Sequence, residues 1–141
     1  MKAIAYLKGS HLSDPHAFCE VQLAPPPLEP HDLLVAVEAV SVNPLDTKVR
    51  AGQVAVPDEV RTLGWDASGV VRAVGSAVTL FAPGDAVFYA GTFTRDGANA
   101  ELHRVDERLV GHKPASLSFA QAAAMPLTSL TAWQLLFERL G

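Results

Sequence analysis

The sequence has little from which to build a disulfide, a metal centre or a strongly charged surface. Cys19 is the single cysteine among 141 residues, so this chain cannot close an internal disulfide or a cysteine-based zinc site by itself. A single cysteine is typical of proteins made in a reducing compartment. The formal net charge is -4 and the basic residues form no cluster, which argues against a nucleic-acid partner.

We also expect no targeting or membrane-spanning segment. Residues 1–10 hold too few apolar residues for a signal peptide, so we expect a cytoplasmic protein. Residues 115–137 carry no charge and are long enough to cross a bilayer, but Pro114 and Pro126 interrupt this region and several of its residues are polar. We interpret it as two short helices on a soluble core and expect no membrane partner.

The short motifs of common enzymes and nucleotide sites do not occur. No two of the ten glycines lie two positions apart, which excludes the GxGxxG dinucleotide turn. The patterns GxxxxGK(S/T), GxSxG, HExxH and CxxC are missing too. The histidines, at positions 11, 16, 31, 103 and 112, are scattered singly. We therefore predict no metal site and no phosphate cradle within this chain.

Residues 64–88 are the region around which the fold can be arranged. Two runs of β-branched and apolar residues, 70–74 and from Ala86 onward, are separated by Gly75 and by the turn sequence Pro83-Gly84-Asp85. This spacing predicts an antiparallel hairpin. Further strands are predicted at 2–7, 18–23, 32–42, 98–105 and 109–113, with helices at 44–50, from 119 and at 127–140.

Short strands separated by Gly and Pro turns, with the longer helical region last, predict a mainly β (α+β) fold. The order favours an antiparallel barrel or sandwich over alternating βαβ units.

Asn43 to Arg50 is the first candidate site. An asparagine at a strand end can present its amide into a cleft, and Asp46 and Arg50 lie four residues apart on the following helix, where they can pair. The alternative is structural, because Pro44 suits the first position of a helix that Asn43 would cap, with the ion pair on the surface.

Trp65, Tyr89 and Phe93 are candidates for lining a substrate pocket. We expect Trp65 and Asp66 to lie in a tight turn between glycines, where a core tryptophan with a turn-capping aspartate is the alternative. Tyr89 and Phe93 flank a glycine-bearing loop and either line a pocket or close the barrel.

Three segments, SVNPLDTKVRAG, GWDASGVVRAVGSAVTLFAPGDAVF and AAAMPLTSLTAWQLL, resemble the medium-chain dehydrogenase/reductase superfamily. The resemblance is greatest to its zinc-free quinone oxidoreductase and zinc-type alcohol dehydrogenase-like branch. In zinc-bearing relatives a cysteine stands where this chain has Asn43 and a histidine where it has Trp65. The resemblance therefore implies that no catalytic zinc is bound.

The resemblance also implies a domain division. Residues 1–125 would form a GroES-like, partly open antiparallel β-barrel on the substrate side, with a short helix after the third strand and two C-terminal helices. Residues 126–141 would form a helix leading to a Rossmann domain outside this chain. That domain would bind most of the NADPH, and the full-length protein would be a homodimer, as family members commonly are.

Roles for single residues follow from the same resemblance. Asn43 would lie at the nicotinamide and the substrate carbonyl, Asp46 behind the site, and Thr128 at the nicotinamide end of NADPH. Lys48 stands where many quinone reductases have a tyrosine near the substrate, and we include it among the catalytic candidates.

The first functional hypothesis is therefore the substrate-side domain of an NADPH-dependent quinone or enone oxidoreductase. By itself it would be inactive, because the helix that binds pyrophosphate would lie in the other domain. The alternative is a free-standing GroES-like binding or assembly module without redox activity. A zinc alcohol dehydrogenase would need the ligands that Asn43 and Trp65 replace.

Overall fold

The computed structural model describes residues 1–11, 13–57 and 61–140. The helical segment predicted at 126–141 includes one residue outside this part. The described elements are β1 (Lys2–Tyr6), β2 (Phe18–Gln22), β3 (Asp32–Ser41), α1 (Pro44–Arg50), β4 (Asp66–Val74), β5 (Ala86–Ala90), β6 (Leu102–Asp106), a 3-10 turn (Glu107–Leu109), β7 (Val110–His112), α2 (Phe119–Ala123), α3 (Pro126–Trp133) and a π-helical segment (Gln134–Arg139).

The described strands form two sheets in which neighbours run antiparallel. The larger sheet has the order β6-β3-β4-β5-β7, and the smaller pairs β1 with β2. Isolated bridges from Ala3 to Ala100 and from Ala5 to Thr62 attach β1 to the segments that precede β6 and β4. The predicted mainly β, partly open antiparallel domain is confirmed.

β4 and β5 form the predicted hairpin, with a register that runs from Asp66 opposite Ala90 to Val70 opposite Ala86. On its other edge β4 pairs with β3, where Gly69 lies opposite Val37. A Cβ on Gly69 would collide with the backbone of β3 at Ala36, so the glycine allows the two strands to approach closely.

Side chains along β3 are expected to alternate between the two faces of the sheet, and this expectation fails for Val40. The sequence pattern predicts that Val40 shares a face with Ala36 and Glu38. In the structure the pairing with β4 shifts between Val37 and Ala39, and Val40 packs against the main core. The prediction was wrong for Val40 because the extra residue at this bulge reverses the alternation of faces.

Two apolar clusters form the interior. The main core is formed mostly by side chains of the large sheet. Its buried residues are Leu33, Val35, Ala67, Val71, Val87, Tyr89, Ala98 and Val105. A smaller cluster of Val49, Leu63 and Trp65 joins α1 to the chain that enters β4. α1 is therefore fixed to the sheet at the end where β3 finishes and β4 begins.

The helices begin where the sequence predicts. Asn43 is the N-cap of α1 with Pro44 in its first turn, and Ser118 caps α2 in a capping box with Gln121. The predicted helix 127–140 corresponds to α3 and the π-helical segment that follows it directly. None of the helices in the described ranges has the length and hydropathy needed to cross a bilayer.

Candidate functional site

Three chain segments meet at the carboxylate of Asp66, which is the first residue of β4. Asn43, between β3 and α1, donates from Nδ2 to Asp66 Oδ2 at 3.0 Å. Leu127, in the first turn of α3, donates its backbone N–H to Asp66 Oδ1 at 3.0 Å. Each carboxylate oxygen therefore accepts one hydrogen bond, and the two donors are far apart in the sequence.

Asp66 is 1% exposed. Burial raises the pKa of its carboxyl above the usual value, the two hydrogen bonds from Leu127 and Asn43 oppose that rise, and the nearby Asp46 carboxylate adds to it. A buried carboxylate needs such donors, because an ionised group without partners in the interior is strongly destabilising.

Asp46 occupies the layer behind Asn43. Its Oδ2 accepts from Asn43 N at 2.8 Å, and its Oδ1 accepts from Gly64 N at 2.7 Å. The predicted ion pair between Asp46 and Arg50 does not form. Arg50 instead donates to Ser10 O at 2.8 Å, because the Asp46 side chain is directed inward to backbone amides.

Thr128 follows Leu127, so the residue predicted at the nicotinamide lies one position from the helix turn that binds Asp66. Its side chain is exposed, and its hydroxyl donates to Met125 O at 3.0 Å. The fold thus brings three sequence-predicted residues, Asn43, Asp46 and Thr128, into one region.

Four other predicted residues, all within the described part of the chain, make no hydrogen bond to the Asp66 carboxylate. Lys48 is exposed on α1, and Phe93 is 40% exposed in the loop after β5. Trp65 is 3% exposed in the small core cluster, where its Nε1 donates to Arg95 O at 3.2 Å. Tyr89 is 2% exposed. Their catalytic or pocket roles stay predictions.

Tyr89 is held by a buried histidine. Its hydroxyl lies 3.0 Å from His103 Nδ1, and His103 Nε2 lies 3.0 Å from Asp96 O. A carbonyl oxygen only accepts, so Nε2 carries the proton and Nδ1 accepts from the tyrosine. Burial lowers the pKa of His103 from 6.5 to about 4, which keeps the imidazole neutral.

An apolar groove runs beside the region, between α3 and the edge formed by β5 and β7. Its volume is about 510 Å³, and its lining includes Phe88, Tyr89, Leu109, Met125, Leu130 and Trp133. Tyr89 lies at the base of this groove, although its ring is almost fully covered.

Asp66 is a residue of this region whose role the sequence pattern does not indicate. The pattern suggests only a turn-capping aspartate, whereas the partners of its carboxylate are 23 and 61 positions away along the chain. The pairing of Ser41 with Asp66 in the β3–β4 ladder places Asn43 just beyond the start of β4. A strand-pairing argument would therefore have indicated this contact.

Within residues 1–11, 13–57 and 61–140, no group of three or more His, Cys, Asp or Glu side chains is placed to hold a metal ion. Cys19 lies exposed on β2.

Comparison with known protein families assigns the chain to one of them. A profile described as the alcohol dehydrogenase GroES-like domain matches residues 29–133. This chain belongs to that family, within the medium-chain dehydrogenase/reductase superfamily. A zinc-type alcohol dehydrogenase-like protein of Staphylococcus epidermidis is 42% identical over 142 residues, which cover 100% of this chain and 41% of that protein.

Solved structures of GroES-like domain proteins share the fold. A Rhizobium etli CFN 42 protein with the provisional name zinc-dependent alcohol dehydrogenase has a TM-score of 0.92 at 52% identity, covering 99% of this chain and 41% of that one. Escherichia coli quinone oxidoreductase complexed with NADPH has a TM-score of 0.84 at 31% identity, covering 98% and 41%. The chain thus spans about 41% of the length of each of these relatives.

Proposed function

We propose that this chain is the substrate-side domain of an NADPH-dependent, zinc-free oxidoreductase that reduces quinones or enones, and that a Rossmann domain follows it in the full-length protein. The observation that carries the proposal is that Asn43 and the first turn of α3 both bind the buried carboxylate of Asp66. Thr128 follows the residue of α3 that makes this bond. The likeness to an NADPH-complexed quinone oxidoreductase supports the choice of cofactor and substrate class.

Asn43 has the chemistry to orient a carbonyl. A side-chain amide carries two N–H hydrogens, and its bond to Asp66 uses one. Asn43 is only partly buried, so the second can be donated to a carbonyl oxygen of the nicotinamide carboxamide or of the substrate. A donor fixed in this way stabilises negative charge that develops on a carbonyl oxygen during reduction.

The residues present fit the nicotinamide end of the cofactor and no more of it. The Thr128 hydroxyl is exposed one residue from the Asp66 contact, and this chain lacks a glycine-rich turn for the pyrophosphate. NADPH, when bound, would supply the hydride. The role of this chain would be to orient the nicotinamide and the acceptor carbonyl, with Lys48 the exposed candidate for supplying a proton.

A catalytic zinc does not fit the side chains at the two positions that hold it in zinc-bearing relatives. Trp65 is buried, and its indole nitrogen is a donor that is bonded to Arg95 O; it offers no lone pair to a metal. At the other position Asn43 directs its NH2 group to Asp66, whereas zinc takes thiolate, imidazole or carboxylate ligands.

The proposal is tested by NADPH oxidation in the natural full-length protein. We expect it to oxidise NADPH with a simple quinone or an enone as acceptor, without loss of rate after chelator treatment and without stoichiometric zinc. The 141-residue chain assayed beside it should show no turnover.

Two outcomes would contradict this proposal. Turnover by the 141-residue chain comparable to that of the full-length protein would show that no second domain is needed. Stoichiometric zinc with alcohol oxidation would favour a zinc alcohol dehydrogenase, and a full-length protein that neither binds nor oxidises NADPH would favour a binding or assembly module.

A further inference from the structure

Asp66 is a buried carboxylate that the proposed function uses only to hold the Asn43 amide. Its side chain is almost fully covered, with Asp66 1% exposed. Its two oxygens accept hydrogen bonds from two segments that are distant in the sequence. The donors are the Asn43 amide, just before α1, and the Leu127 N–H in α3. Those segments carry the two residues assigned above to the nicotinamide, Asn43 and Thr128.

We propose that Asp66 is a positioning residue that fixes the Asn43 amide and the first turn of α3 relative to each other, so that one side chain sets the geometry of both nicotinamide contacts. The inference rests on the proposed function for the identity of the cofactor. The mechanical part, a carboxylate that couples two segments, rests on the geometry alone.

An aspartate suits this position for a specific chemical reason. Both partners are donors, and an ionised carboxylate accepts at each oxygen, whereas an asparagine has one accepting and one donating end. Its negative charge also lies at the N-terminal end of α3, where the unpaired backbone N–H groups favour it. Replacing Asp66 by asparagine therefore leaves one donor facing another in a buried place.

The coupling can be tested in the full-length protein with hydrogen–deuterium exchange and with NADPH affinity, measured by nicotinamide fluorescence. Asp66→Asn should speed exchange in both residues 43–46 and residues 126–130 by about tenfold or more, the effect of losing a hydrogen bond to a charged group. The NADPH Kd should rise by a similar factor.

Two further variants separate positioning from general damage. Asp85→Asn is the matched control, because Asp85 caps a turn through Ala82 N far from the site; we expect it to change neither measurement by more than about twofold. The swap variant Asn43→Asp/Asp66→Asn restores an acceptor for the Leu127 N–H and pairs one hydrogen of the new amide with the new carboxylate. It should return exchange to within about threefold of wild type while NADPH affinity stays low, because the Asn43 amide is lost.

Several results would overturn the inference. They are unchanged exchange in Asp66→Asn, faster exchange in only one of the two segments, or faster exchange in both with an unchanged NADPH Kd. If Asp66→Asn fails to fold, the swap variant decides, and its exchange must match wild type. A wild-type protein that does not bind NADPH would refute the proposed function instead, and the exchange data would still decide whether Asp66 couples the two segments.

Discussion

Single residues show where the fold depends on protonation, and His103 is the clearest case. It is 4% exposed, and both ring nitrogens are used, one by the Tyr89 hydroxyl and the other by Asp96 O. A second proton on the ring would displace the tyrosine donor and place a charge in the core.

The pH dependence of stability follows from this burial. The folded-state pKa of His103 is lowered from 6.5 to about 4, so between these values the unfolded chain binds more protons than the folded one. The contribution of this residue to stability is therefore complete above the unfolded pKa and is lost as pH falls toward 4. We expect a loss of roughly 3 kcal/mol over that window, measured by urea unfolding at a series of pH values.

His103→Gln is the comparison variant for that prediction, because glutamine keeps an acceptor and a donor but does not titrate. Its unfolding free energy should fall less steeply between about pH 6.5 and pH 4 than that of wild type. Equal slopes in the two proteins would show that His103 does not cause the dependence.

The sequence predicts the roles of some individual site residues and not of others. Asn43-Pro44 correctly indicates a cap and a helix start, because both preferences are local. The partner of Asp46 could not be found from helical spacing, because the amide of Gly64, 18 positions away, competes successfully with Arg50 for its carboxylate. The bonds to Asp66 likewise depend on strand pairing and on the docking of α3.

At the scale of elements, Glu107 joins the β4–β5 connection to the end of β6. It is 2% exposed; its Oε2 accepts from Thr79 N at 3.0 Å and Leu80 N at 2.9 Å, and its Oε1 lies 2.8 Å from His31 Nδ1. The carboxylate therefore fixes the middle of this connection, in addition to the packing of Val78 and Phe81 against the main core.

We predict that Glu107→Gln lowers the free energy of unfolding by more than a matched surface control, because a neutral side chain would replace the charged acceptor of the Thr79 and Leu80 N–H groups. Glu20→Gln is the matched control. Glu20 pairs with Lys2 at 3.4 Å on the surface and should cost less than about 1 kcal/mol. Urea unfolding near neutral pH compares them, and equal losses would refute the role given to Glu107.

Element identity and order follow well from the sequence, whereas details of pairing do not. Glycine, proline and β-branched residues indicate the strands and the hairpin because those preferences act over a few residues. The bulge beside Glu38 could not be predicted, since it appears only as a shift in the pairing of β3 with β4. β6 begins at Leu102 and not at 98 as predicted.

At the scale of the whole molecule, the C-terminal helical region exposes an unusually apolar surface. Leu130, Trp133, Leu136 and Phe137 are 52%, 60%, 59% and 63% exposed, and the tilted rings of Trp133 and Phe137 pack with their centroids 4.5 Å apart. Such a continuous apolar patch is typical of a surface that another part of a protein covers. We propose that the rest of the full-length protein covers it.

Trp133 provides a measurement of that burial. The emission lost on Trp133→Phe substitution should be red-shifted and readily quenched by iodide in the 141-residue chain. In the full-length protein the same difference should be blue-shifted and protected, because the ring would be buried. Trp65, 3% exposed, is the internal control and should be protected in both. Equal quenching of Trp133 in the two proteins would contradict the proposed contact.

We propose above that this domain forms one side of a cleft in which hydride is transferred. The measurement that tests it most directly is a crystal structure of the full-length protein with NADPH. We predict that the nicotinamide lies within hydrogen-bond distance of Asn43 and Thr128, with Asp66 bound to Asn43 and Leu127 as here. A nicotinamide bound away from both residues, or a zinc ion held at positions 43 and 65, would contradict the account.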